Sequence, residues 1–232
     1  MKQEQPKNTN KRAYSAGETI LLLLTALFLL LPLVFFGWYG STYIPTVHHS
    51  EIRTREVEVS QGSSRCTLDI PGGTLRIRKP RRAVVGSNYQ VEAQVTLERP
   101  LRFINCTGTL PNWNINLEAQ TALVSSAVKP FASIRQPAFD REHFTYSWTF
   151  MPEENVPHYQ SHLWLRAIVS EKDQTVENWN ILVRDFPMEN ISLFGQPAVI
   201  WIIISGFSLV LGLLLGILFL QKTGKRAALK ST

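Results

Sequence analysis

Residues 198–220 read AVIWIIISGFSLVLGLLLGILFL, a run without one charged residue. Coiled as an α-helix, this run reaches roughly 34 Å, enough to cross a hydrocarbon core about 30 Å thick. It reads as a membrane span. A second apolar run, TILLLLTALFLLLPLVFFGWYG at 19–40, stands near the other end of the chain. Everything between the two is expected to form a domain tied to one membrane face at both ends. The expected organisation is a tail at 1–17, a helix at 18–40, a domain at 41–196, a second helix at 197–220 and a tail at 221–232.

The composition of the 232 residues conceals this division. Forty-four per cent are hydrophobic, and the mean hydropathy of −0.04 resembles that of a soluble protein. The average sums two apolar spans with a polar middle of about 155 residues, an ordinary size for one domain with its own core. The net charge of +6 does not imply a nucleic-acid partner, because part of the excess sits beside the spans. Lys2, Lys7, Lys11 and Arg12 precede the first, and Lys222, Lys225, Arg226 and Lys230 follow the second. Basic flanks stay on the cytoplasmic side. Both termini are thus expected in the cytoplasm, and the middle domain in the periplasm or outside the cell, on a bacterial inner or plasma membrane.

The first run is longer than a secretory signal core, and Trp38, Tyr39 and Tyr43 offer no small-x-small cleavage site, so it reads as an uncleaved anchor. The same three aromatic residues suit the outer interface, as do Phe194 and Trp201 at the second span. Pro32 inside the first span predicts a kink unless a neighbouring helix straightens it. Cys66 and Cys106 both fall in the outside domain. An even count in an oxidising compartment favours a disulfide; the other reading is two buried free thiols on different strands.

Between the spans the period changes from helical to twofold. Val57 and Val59 alternate with Glu56 and Glu58, and Leu75 and Ile77 with Arg76 and Arg78. Residues 89–98, YQVEAQVTLE, give the clearest half-buried strand. Trp113, Ile115 and Leu117 follow, then Phe144, Tyr146, Trp148 and Phe150, then Leu163, Leu165, Ala167 and Val169, and finally Trp179, Ile181 and Val183. Seven or eight short strands punctuated by Pro, Gly and Asn predict an all-β domain, an Ig-like antiparallel β-sandwich, between the two transmembrane helices. The weakly patterned 118–137, with Pro130 and Pro137, is a candidate surface loop whose order the pattern does not decide, and 185–197 is expected to be a linker.

The succession of V-E-A-Q-V at 91–95, S-W-T-F at 147–150 and L-W-L at 163–165 resembles the Ig-like exoplasmic modules of bacterial membrane proteins. The resemblance implies a β-sandwich and does not imply a function. Antibody-type domains differ: here Trp113 follows the second cysteine, and Cys106 lacks a tyrosine two residues before it.

No catalytic signature stands out. His158 and His162 sit four apart after Pro157, but on a strand that spacing is roughly 13 Å, too far for one ion. His48 and His49 point apart on an extended segment. Asp140, Glu142 and His143 read as a solvated turn, and no G-x-S-x-G elbow or copper ligand set is present. Neither metal nor cofactor is expected, and no enzyme. Asn105 and Asn190 begin N-x-S/T patterns, which a bacterial chain would leave unmodified.

Two features point to partners. Ser208, Gly212 and Gly216, spaced four apart, give the second span a small-residue face suited to close helix packing. The neighbour is either the chain's own first span, a membrane-protein partner or a second copy. Arg76, Arg78, Lys79, Arg81 and Arg82 put five basic residues in seven positions, a docking patch for an acidic surface or a solvated strand face. The expected function is an accessory, scaffold or protein-interaction subunit of a membrane assembly. An envelope sensor or ligand-binding module acting through a partner is the alternative, and a membrane-anchored hydrolase or metalloprotein the second alternative.

Overall fold

The computed structural model describes residues 15–108, 112–131, 133–172 and 174–229. Lys2, Lys7, Lys11, Arg12 and Lys230 of the basic flanks lie outside them. In chain order the elements are α1 (Ala16–Ser41), β1 (Pro45–Ile52), β2 (Arg55–Gln61), β3 (Ser64–Ile70), β4 (Gly73–Pro80), β5 (Ala83–Val84), β6 (Tyr89–Leu97) and β7 (Arg102–Thr107). They continue with β8 (Trp113–Ala122), β9 (Ser126–Lys129), β10 (Ile134–Pro137), β11 (His143–Pro152), β12 (Val156–Glu171), β13 (Gln174–Ile191) and α2 (Ala198–Leu229). Two units result: a helical one comprising residues up to Trp38 and from Ile200 onward, and a β-rich one, Tyr39–Val199.

In the helical unit, α1 and α2 are both long and apolar enough to cross a membrane. The N-terminus of α1 is closed by a capping box. Ser15 N donates to Glu18 Oε2 at 2.9 Å while Glu18 N donates to Ser15 Oγ at 3.4 Å, satisfying two backbone donors that the first turn leaves without helical partners. Large apolar side chains such as Val34 (70% exposed) and Phe207 (71%) project outward from the pair. In water that surface would be a costly patch; in lipid it costs nothing.

The β-rich unit contains two five-stranded sheets. The first has the order β1-β4-β6-β11-β9 and the second β10-β8-β12-β13-β5, while β2-β3-β7 form a smaller third sheet. All neighbours are antiparallel except β13 and β5. Twofold alternation decides what is buried. Val91, Ala93 and Val95 of β6, Tyr146, Trp148 and Phe150 of β11, and Leu163, Leu165 and Ala167 of β12 turn into one core shared by the two larger sheets. Tyr146 crosses this core and donates its hydroxyl proton to Leu117 O at 2.9 Å, so its one polar atom is paired while its ring is buried.

The disulfide joins β3 to β7 through Cys66 and Cys106. Their pairing slips by one residue between Arg65 and Thr67, and Asn105, at φ 51°, supplies the extra residue of the bulge beside Cys106. Gly108, at φ 85°, continues the turn where a β-carbon would sit 2.5 Å from Ser63 O.

Three sequence expectations need correction. The stretch 118–137 is not a bare loop: it holds the end of β8 and the short strands β9 and β10, each an outer strand of its sheet. Four residues with one sheet neighbour need little alternation, which explains the weak signal. The stretch 185–197 is mostly strand, since β13 runs on to Ile191. Pro187 is tolerated there because β5 pairs only with Asn190 and Ile191, leaving the outer side of β13 open at the proline. Finally, Val183 faces out, 48% exposed. Between Leu165↔Leu182 and Arg166↔Asn180 the pairing skips Ile181, so the inward positions change parity and Phe186 and Met188 enter the core instead.

Candidate functional site

The small-residue face of α2 lies against α1. Ser208 Oγ donates to Phe28 O at 3.0 Å, a contact between helices at backbone distance. A β-carbon on Gly212 would sit 3.0 Å from Leu29 Cδ2 and 3.2 Å from Leu29 N, and one on Gly216 would sit 3.4 Å from Thr25 Cγ2. The absence of side chains at 212 and 216 is thus what lets the two backbones approach.

The β domain holds both of its ends on one short stretch of its own chain. Tyr39 Oη lies 2.9 Å from Ser87 Oγ, and Thr42 Oγ1 lies 2.9 Å from Tyr89 Oη, which also accepts from Val84 N at 3.0 Å. On the exit side Ala198 N donates to Val85 O at 3.1 Å. Gly86, at φ 79°, sits between them, where a β-carbon would meet Pro197 Cβ at 3.2 Å. The entry and exit of the domain are therefore fastened to the same turn, 84–89.

The five basic residues of 76–82 do not form one surface. Arg76 and Arg78 point outward on β4, opposite Gln94 and Glu92 of β6. Strand alternation sends Lys79 the other way: it is buried, 3% exposed, and so is not part of an exposed docking patch. Arg81 and Arg82 follow the strand, and Arg82 Nε donates to Glu189 Oε2 at 2.7 Å.

Lys79 instead lines a cleft of about 590 Å³ where β1 and β4 of the first sheet meet β12 and β13 of the second. His48, Arg81, His158, Tyr159 and Glu189 line it as well, and Pro187 and Met188 add apolar wall. Glu189 is engaged on both oxygens, by Arg82 and by His158 Nδ1 at 3.3 Å. Its carboxyl is held below the ordinary range, first by the Arg82 hydrogen bond, against the opposing effect of burial. Among the described residues no carboxylate comes within 4.0 Å of the Lys79 ammonium, whose partner is the Phe186 ring, 6.0 Å to its centre. Burial pushes the Lys79 pKa down to about 8, with Glu189 working the other way. His48 is lowered too, by burial and then by the charge of Lys79.

The remaining candidates are dispersed. His162 Nδ1 pairs with Asp185 Oδ1 at 2.6 Å, away from the Glu189 partner of His158. His143 Nδ1 lies 3.3 Å from Thr96 Oγ1, and Asp140 occupies a turn at φ 56°. Among the described residues no group of three or more His, Cys, Asp or Glu side chains is placed to hold a metal ion. Asn190 is fully buried, accepting from the Tyr159 hydroxyl at 2.8 Å, so its N-x-S pattern offers no acceptor to a glycan. The cleft escaped sequence reading because its residues come from four strands, although the inward register of Leu75, Ile77 and Lys79 was visible. In comparison with known proteins, no family model matches the chain and no curated protein matches it in sequence.

Proposed function

We propose that the chain is a two-pass integral membrane protein, with both termini in the cytoplasm and an exoplasmic, non-enzymatic β domain that serves as an accessory or scaffold subunit of a membrane assembly. The observation that carries this reading is the fastening of Tyr39, Thr42 and Ala198 to the single turn 84–89. A domain held by entry and exit at one place presents the rest of its surface to other molecules. The Cys66–Cys106 bond agrees with an oxidising compartment. We further read the domain as an Ig-like sandwich. The order β4-β6-β11-β9 parallels the A-B-E-D sheet of immunoglobulin domains, and β8-β12-β13 the C-F-G sheet, with β5 running parallel to β13.

The docking surface in this reading is the outer face of β4, where Arg76 and Arg78 meet an acidic patch of a membrane-protein partner. Extraction of the native membrane in a mild detergent, with the mass and composition of what travels with the chain, tests it. A defined hetero-complex, weakened by R76E/R78E, is expected. A chain that runs alone or as a homo-oligomer under all gentle conditions removes the accessory role.

A further inference from the structure

We propose that the cleft around Lys79 is a binding site for a phosphate monoester, with Lys79 and Arg81 as its charged contacts and Tyr159, Pro187 and Met188 as the wall for the organic part of the ligand. This goes beyond the accessory-subunit reading and does not rest on it.

The first ground is the state of Lys79. Lys79 is only 3% exposed as a residue, and a cation so largely buried ordinarily acquires a carboxylate or a set of acceptors. Here the nearest acid lining the cleft, Glu189, is already bound by Arg82 and His158. An aromatic face at 6.0 Å is a partial substitute. The cost of keeping Lys79 inside is recovered when an anion enters.

Charge balance narrows the class. Against the single negative charge of Glu189 the site sets Lys79, Arg81 and Arg82, which leaves two positive charges uncompensated before either histidine is counted. A phosphate monoester carries between one and a half and two negative charges near pH 7 and offers three acceptor oxygens. A carboxylate would neutralise one charge. The volume of about 590 Å³ exceeds what a bare phosphate fills and lies in the range of small-molecule sites. Apolar wall beside the cations suits an ester with a carbon skeleton. Such an ester comes either from a soluble phosphorylated metabolite or from the headgroup of an acidic lipid. Thr46, which also lines the cleft, follows the last residue of α1 by only five positions.

The test uses the full chain in a neutral detergent, with thermal unfolding followed by tryptophan fluorescence. Glycerol 3-phosphate is the soluble probe and dihexanoyl phosphatidic acid the lipid probe, each against sodium chloride at equal ionic strength. At roughly a hundredfold excess over Kd, a probe that binds raises Tm by about 5 °C or more. K79M is expected to lose at least tenfold in affinity and R81Q severalfold, while R76Q, on the outer face of β4, binds as the wild type does. If K79M fails to fold, R81Q, altered at an exposed side chain, decides alone. A response to glycerol 3-phosphate assigns a soluble ligand, and a response only to the lipid probe assigns a headgroup. The proposal is overturned if neither probe exceeds chloride, or if K79M and R81Q bind as tightly as the wild type.

Discussion

Thr42 and Tyr89, 47 residues apart in the chain, share a 2.9 Å hydrogen bond between their hydroxyl groups. Thr42 spends its own proton on Tyr39 O at 2.7 Å, so Tyr89 is the donor to Thr42 and the acceptor from Val84 N. Its ring is sandwiched as well, stacked on Tyr43 at 4.8 Å and near Phe150 at 5.8 Å. One side chain thus links the chain's entry, the turn 84–89 and the core. Tyr89→Phe keeps the ring and deletes the link, leaving a buried Val84 N–H without its acceptor. We expect a loss of about 2 kcal/mol. Thermal unfolding of the full chain in detergent checks this, and an unchanged midpoint would show that the joint contributes nothing.

The disulfide closes a loop of 40 residues between β3 and β7. On the chain-entropy account such a closure stabilises by about 4 kcal/mol, and native bonds of this kind typically give about 2–5 kcal/mol. The double variant C66S/C106S should therefore unfold at a clearly lower denaturant concentration than the oxidised protein. Reduced wild type should match the variant. Equal midpoints for oxidised and reduced protein would contradict the prediction.

Much of this architecture was legible because the two periods are so different. An uncharged 23-residue run is long and apolar enough to cross a membrane, and β6 alternates cleanly since one of its faces is core and the other solvent. What escaped depends on partners distant in sequence. The parity change at Ile181 comes from a bulge against β12 and has no local sequence sign. Strands β9 and β10 are too short to announce a period. Charge alone groups Lys79 with its neighbours, although Leu75 and Ile77, four and two positions earlier, already set it on the inward side. Glu189 and His158 gave no hint that they would meet it.

Lys79 also makes stability depend on pH. Its folded pKa, about 8, lies below its ordinary 10.5, because burial disfavours the cation. The unfolded chain then binds the proton more tightly, so stability rises with pH between these two values. The cost is fully present below pH 8, on the order of 3 kcal/mol, and is relieved as pH approaches 10.5. His48, Arg81, His158, Tyr159 and Glu189 face the same cleft, so the comparison must be with K79M. That variant should unfold at a higher temperature than wild type at pH 7, with the difference shrinking by pH 10. A constant difference would assign the effect to packing.

For the helix pair, Thr25→Cys with Gly216→Cys should oxidise readily, given the 3.4 Å between Thr25 Cγ2 and a β-carbon at 216. Cleavage of the β domain beyond Cys106 then leaves the N- and C-terminal fragments joined through the new bond, visible on a non-reducing gel. Adding Gly212→Leu, which drives a side chain into Leu29, should reduce cross-linking at least severalfold. Undiminished cross-linking would show that 212 does not set the approach.

In the proposed topology the β domain lies outside the membrane and both tails lie inside. Single cysteines at Glu56, exposed on β2, and at Lys7 and Lys230 in the tails can be challenged with a membrane-impermeant maleimide on intact cells and again after lysis. E56C is expected to be labelled on intact cells, while K7C and K230C are labelled only after lysis. Labelling of either tail on intact cells, or protection of E56C until lysis, would contradict this topology.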